Sequence, residues 1–293
     1  MPSATPTDRF FDLRGLRHHA AVWGDGPRTV VLLHGWLDVA RLFDKLAERL
    51  RRPELRLVAL DFRGHGDSEH APPSGSYQHP EYVADLHALV EQLAPGGGQV
   101  ALVGHSMGGI MAQFFAGAFP ERVSHLCVIE SLGPPEMEPG SVVPRLRSFV
   151  EDFVKLGKLS PLPYARLEDA AARVVKKHPR IHLDDAMHYV RHGMRQHGSG
   201  ASAVWKWKFD MRLHARGPYA FFEDPLLRFF DAITAPVLLI EGSDGYRLDP
   251  VTFARRFSRL RRGEHLVVSG AAHHVHLDAP DAVAEAILRL LAG

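Results

Sequence analysis

Cysteine is almost missing from this chain. Cys127 is the only one in 293 residues, so no internal disulfide can form and packing alone must hold the fold. Its place in an apolar, strand-like run suits a reducing compartment, and a cytoplasmic location is expected. An excess of charge of either sign is also lacking. Lysine and arginine number 35 against 34 aspartate and glutamate, which leaves no basic field for nucleic acid and no acidic tail. No apolar run reaches the roughly 18 residues that suggest a membrane-spanning helix. The opening MPSATPTDRF has neither the charged region nor the apolar stretch of a secretory leader, so no signal peptide and no membrane span are expected. Internal repeats and low-complexity segments are absent too. By elimination, the expected partner is a small molecule.

Histidine, in contrast, is plentiful, with 19 copies. The pair His18-His19 and the run His273-His274-Val275-His276 invite a metal hypothesis, but no second cluster supplies further ligands at a recognisable spacing. Hydrogen-bonded or surface histidines are the expectation, with no metal and no organic cofactor. Length and an apolar content of 45% allow one large domain, or a domain carrying a sizeable insertion.

The apolar pattern alternates between strand and helix. Phe10 to Arg14 and Arg17 to Trp23 read as a hairpin around Gly15. A continuous apolar run at Thr29 to Leu33, the apolar run Val100 to Val103, and the strand-like stretches Leu55 to Leu60 and Val123 to Ile129 fit strands of a parallel sheet covered on both faces. Helical spacing lies between them, over Val39 to Leu50, Glu81 to Leu93 and Ile110 to Phe119. This alternation predicts a mostly parallel sheet flanked by helices. Between Gly133 and Ile233 the rhythm changes. Prolines cluster at 134, 135, 139 and 144, and helical segments follow at Val142 to Leu156, Ala165 to Lys177 and Leu183 to Arg195. No buried strand run occurs there, so residues 133–233 are expected to form a helical cap inserted into a core of residues 1–132 and 234–293. The core resumes with strands at Pro236 to Ile240 and His265 to Val268 and helices at Val251 to Leu260 and Ala282 to Leu291.

One stretch carries chemistry. Gly104-His105-Ser106-Met107-Gly108 stands between a strand run and a helix run, the setting in which G-x-S-x-G lifts a serine hydroxyl above the sheet on a tight turn. Ser106 is the candidate nucleophile. A serine needs a base to take its proton, and the loop after the last strand offers His273, His274 and His276. An oxyanion formed at Ser106 needs N–H donors. The backbone of Met107, after the nucleophile, and of Trp36, in the loop after the third strand, are the candidates. The aromatic residues Trp205, Trp207, Phe209, Tyr219, Phe221 and Phe222 fit either an acyl pocket or the packing of the cap onto the core.

Four motifs together, HGWLD at 34–38, DFRGHGDS at 61–68, GHSMGG at 104–109 and AHHVHLDAP at 272–280, resemble those of the α/β-hydrolase family, in family order and over nearly the whole chain. HGWLDVARLFDKLA is most similar to the serine hydrolase-like branch. The resemblance implies an α/β-hydrolase fold, a serine esterase acting through an acyl-enzyme, and an apolar ester or acyl substrate. Aligning Asp278 and Pro280 with the family's last motif places the base at His273. The acid is less regular. Most members carry an aspartate in a G-x-x-D arrangement after the strand before the last, but here Gly242-Ser243-Asp244-Gly245 sets glycine at that position. A second arrangement, seen in haloalkane dehalogenases and Renilla-type luciferases, takes the acid from the end of the strand after the nucleophile helix, where Glu130 stands. Glu130 is therefore preferred, with Asp244 the alternative and Asp249 third. Dehalogenation itself is not implied, because the nucleophile is Ser106 and the halide-holding asparagine is lacking. Asp61 and Arg63 are expected to order their loop.

Overall fold

A computed structural model describes residues 5–136, 138–215, 217–218 and 221–293. The chain enters through an antiparallel hairpin, β1 (Thr7–Leu13) and β2 (Leu16–Trp23), and then alternates. Strands β3 (Arg28–Leu33), β4 (Leu55–Leu60), β5 (Val100–His105) and β6 (Val123–Ile129) are separated by helices α1 (Asp44–Leu50), α2 (His79–Leu93) and α3 (Met107–Ala118). The stretch that follows holds α4 (Val142–Leu156), α5 (Leu167–Lys177), α6 (Leu183–Gly193), the short strands β7 (Met194–His197) and β8 (Val204–Trp207), and α7 (Glu223–Ala232). After it come β9 (Val237–Gly242), α8 (Pro250–Phe257), β10 (Gly263–Val268), α9 (Val275–Asp278) and α10 (Pro280–Ala292).

Eight strands form one sheet in the order β1-β2-β4-β3-β5-β6-β9-β10. Pairing is antiparallel at β1–β2 and β2–β4 and parallel elsewhere. The apolar runs are continuous because successive side chains enter opposite layers. On β3, Val31 and Leu33 join the layer under α2, α3 and α7, while Val30 and Leu32 join the layer under α1 and α10. On β6, Leu126 and Val128 take the first layer, and Cys127 and Ile129 the second.

Two local expectations change. The helix expected over Val39 to Leu50 begins as a 3₁₀ turn, Ala40–Phe43, whose first N–H donates to Asp61 Oδ1 at 2.7 Å, and α1 starts only at Asp44. The stretch expected to be all helix also contains the antiparallel pair β7–β8. Its strands are short, and β8 alternates Trp205-Lys206-Trp207, so no continuous apolar run marks it. Among the described residues, no helix is long and apolar enough to cross a membrane.

Candidate active site

All parallel strands end at one edge, and the loops after β3, β5, β6, β9 and β10 meet there. Backbone strain marks two of these ends. Ser106 sits at φ 50°, ψ −116°, and Glu130 at φ 58°. Positive φ costs a residue that carries a Cβ of the order of 1–3 kcal/mol, and such strain collects at functional sites. Here it is held by hydrogen bonds from the flanking backbone. Ser106 N donates to Ile129 O at 2.9 Å, and Glu130 N donates to Ile240 O at 2.8 Å. The turn at Ser106 closes only because its neighbours are small. A Cβ on Gly104 would lie 2.5 Å from Gly108 O, and one on Gly108 would lie 2.1 Å from Leu33 O. The second contact seats the start of α3 against the end of β3, bringing the His34-Gly35-Trp36 loop beside the elbow. Met107 opens α3, so its N–H lacks an intrahelical acceptor. The Trp36 side chain walls the cavity and donates Nε1–H to Leu213 O at 3.1 Å.

His273 precedes α9 in the loop from β10. Its Nδ1 lies 3.2 Å from Glu130 Oε2. The Glu130 side chain is fully buried and also accepts from Gly242 N–H at 2.6 Å and Tyr246 N–H at 2.8 Å. Gly245 makes this possible: a Cβ there would fall 2.1 Å from Glu130 Oε1. The carboxylate thus fills the space that a side chain at 245 would take. Asp244 faces away from this group and pairs with Arg180 at 2.5 Å on the surface, and Asp249 caps α8 through the N–H groups of Val251 and Thr252. Ser106 and His273 both line a cavity of about 640 Å³. Among the described residues no hydrogen bond joins Ser106 Oγ to His273. In ligand-free sites this bond is often long and tightens only when substrate arrives.

Behind His273 lies a histidine cluster that the sequence reading did not assemble. His105 Nε2 donates to His273 O at 2.9 Å, which fixes the loop. Asp38 Oδ2 lies 3.4 Å from both His105 Nδ1 and His274 Nε2. Burial would raise the Asp38 carboxyl, but the neighbouring His274 charge holds it well below the usual range. Burial opposes protonation of His274, yet Asp38, by its charge and hydrogen bonding, together with the Asp278 and Glu130 charges, raises its pKa. Burial depresses His105 to about 4. The signal was present: His105 lies inside the serine motif, Asp38 closes HGWLD, and His274 follows His273.

The remaining candidates find places. Asp61 is buried and accepts from Ala40 N–H at 2.7 Å and Asp67 N–H at 3.0 Å, with His19 Nδ1 at 2.7 Å. Arg63 forks onto Asp85, so both residues order structure. Trp207 and Phe209 line the cavity, together with Val174, Ile181 and Tyr189. Trp205 pairs through its backbone with Tyr164, Phe221 packs on His79 and Phe114, and Phe222 is exposed. Tyr219 lies outside the described residues.

A model of the alpha/beta hydrolase family matches residues 30–286. The "serine hydrolase-like protein" of Danio rerio is 29% identical over 281 residues, covering 92% of this chain and 83% of that one. An sn-1-specific diacylglycerol lipase of Mus musculus is 28% identical over 275 residues, with coverage of 92% and 83%. The crystal structure of a hypothetical protein from Pseudomonas aeruginosa PAO1 superposes with a TM-score of 0.83 at 31% identity, covering 97% of this chain and 98% of that one.

Proposed function

The chain belongs to the alpha/beta hydrolase family, and from that premise we propose that it is a serine hydrolase cleaving a carboxylic ester or related acyl compound. The observation that carries this reading is the pairing of His273 Nδ1 with the buried Glu130 carboxylate in a loop that shares the Ser106 cavity. With Nδ1–H directed at Glu130, His273 Nε2 is left unprotonated and takes the Ser106 proton as Oγ attacks the acyl carbon. The negative oxygen that forms is received by the N–H groups of Trp36 and Met107. Collapse of the tetrahedral intermediate expels the leaving group, which takes the proton from His273. Water, activated by the same imidazole, then releases the acyl group from Ser106. Glu130 stabilises the imidazolium and holds its tautomer; Asp244 has no part in the reaction.

Residues 133–233 act as a cap in this proposal, closing the cavity with Leu162, Val174, Ile181, Trp207 and Phe209. This apolar lining favours an apolar acyl chain. The mouse relative is named for a diacylglycerol lipase, and an acyl ester of that kind contains the bond this site is arranged to attack. The test is labelling with a fluorophosphonate alongside hydrolysis of p-nitrophenyl esters of increasing acyl length. Wild type is expected to label and turn over, and Ser106→Ala to do neither. A wild-type protein that resists the probe overturns the reading in favour of a binding protein on the same fold. Labelling without cleavage of any ester points instead to C–C bond hydrolysis by the same serine.

A further inference from the structure

Asp38, His105 and His274 present three ligand atoms within 4.8 Å of one another. Asp38 and His105 are buried and His274 largely so, and all three line the Ser106 cavity. The protonation of His105 follows from its partners. Nε2 faces the carbonyl of His273, an acceptor only, so Nε2 carries the hydrogen. The neutral ring therefore turns the Nδ1 lone pair toward a carboxylate oxygen 3.4 Å away, and Nδ1 is buried without a hydrogen-bond partner. Two electron-rich atoms face each other, a costly arrangement unless a cation lies between them. The distances suit such a cation. A tetrahedral ion with bonds of about 2.0–2.1 Å holds neighbouring ligand atoms roughly 3.3–3.4 Å apart. The Asp38–His105 and Asp38–His274 separations are both 3.4 Å, whereas a charge-assisted hydrogen bond would be about 2.7–2.9 Å. Gly35 leaves the room required, since a Cβ there would lie 2.7 Å from Asp38 Oδ2 and 3.0 Å from His105 Nδ1.

The other groupings of this kind are already committed to other partners. His19 Nδ1 is bonded to Asp61 at 2.7 Å, and Asp44 receives a forked bond from Arg41.

We propose that Asp38, His105 and His274 form a binding site for a divalent transition-metal ion, opening on the cavity beside Ser106, and that an ion held there blocks turnover. Two imidazoles and one carboxylate select zinc, cobalt or nickel over magnesium and calcium. The three protein ligands leave the fourth position to water from the cavity, where the acyl group would otherwise lie. The ion also ties His274 to His105, on whose ring the His273 carbonyl rests, so the base is pinned in its unloaded position. The inhibition rests on the hydrolase reading, while the binding does not.

The experiment is a Co²⁺ titration of metal-stripped full-length protein, followed by visible d–d absorption and equilibrium dialysis. One equivalent with a tetrahedral spectrum is expected for wild type and for His273→Ala. Asp38→Asn and His274→Gln should each weaken binding by about 100-fold or more, beyond the 10- to 100-fold cost of losing an outer-shell partner. His274→Gln decides the matter if Asp38→Asn fails to fold. No bound Co²⁺, or binding that disappears in His273→Ala and survives in His274→Gln, overturns the site. In parallel, ester hydrolysis by wild type should fall with a midpoint at the Co²⁺ dissociation constant and recover with chelator. Full activity of the loaded protein overturns the inhibition and leaves the site standing.

Discussion

Replacing Glu130 with glutamine preserves side-chain shape and removes its charge. In the folded protein the carboxylate oxygens accept from Gly242 N–H at 2.6 Å, Tyr246 N–H at 2.8 Å and His273 Nδ1 at 3.2 Å. An amide has one oxygen and one NH₂. With its nitrogen in the Oε1 position it opposes Gly242 N–H. With its nitrogen in the Oε2 position it opposes Tyr246 N–H and drives the His273 proton from Nδ1 to Nε2, the nitrogen needed to receive the proton of Ser106. The second orientation mirrors the wrong-tautomer state of a serine triad whose acid becomes an amide, a change that costs about 10⁴ in kcat, or roughly 5.5 kcal/mol of transition-state stabilisation. Steady-state kcat and KM on p-nitrophenyl esters, measured with the thermal midpoint of each variant, read the effect. Glu130→Gln should lose turnover by about three to four orders of magnitude, while Asp244→Asn, which breaks only the exposed pair with Arg180, should stay near wild type. Gly245→Ala should act in the same direction as Glu130→Gln, because its Cβ cannot occupy the space held by Glu130 Oε1. A Glu130→Gln enzyme within tenfold of wild type, or a collapse in Asp244→Asn, would refute the assignment.

Three further outcomes follow from packing and burial. Burial pushes His65 down to about 3, and burial with nearby Arg145 pushes His79 down to about 4. Both are depressed on folding, so their contribution is fully present above the unfolded value near 6.5 and drains away as pH falls from there toward 4 and below. Urea unfolding from pH 7.5 to 4 should show this loss, and a flat profile would count against it. Arg256 is fully buried, forked onto Glu223 and bonded to Leu132 O and Pro134 O at 2.8 Å. Glu223→Ala strands that charge and should cost about 3–5 kcal/mol. A change below about 1 kcal/mol in denaturant unfolding contradicts the burial. Burial also pushes the Cys127 thiol up, so an aromatic disulfide reagent should find no thiol in the native protein and one after denaturation.

Much of this protein was legible because its signals are local. A strand covered on both faces is mostly apolar, and Leu55–Leu60 and Val123–Ile129 could be read to the residue despite Arg56, Ser124 and His125 at their half-buried starts. A helix such as Val142–Leu156 shows its period in sequence. The elbow was legible for a related reason: Gly104, Ser106 and Gly108 meet within one turn, so steric need and chain spacing coincide. The hairpin β7–β8 was missed because β7 is polar and exposed after Met194, and β8, though it alternates Trp205-Lys206-Trp207, is only four residues long.

Tertiary structure decided what joins residues far apart in the chain. Glu130 and Asp244 have the same chemistry, and only the crossing of β6 beside β9 sets one against His273 and turns the other toward Arg180. Asp38, His105 and His274 come from the loop after β3, the end of β5 and the loop after β10, and parallel pairing of β3 with β5 and the return of the chain through β10 bring them into contact. Periodicity and sterics act over a few residues and are written along the chain. Hydrogen bonding and charge act over a few ångströms in space, so their partners exist only once the sheet has ordered its loops.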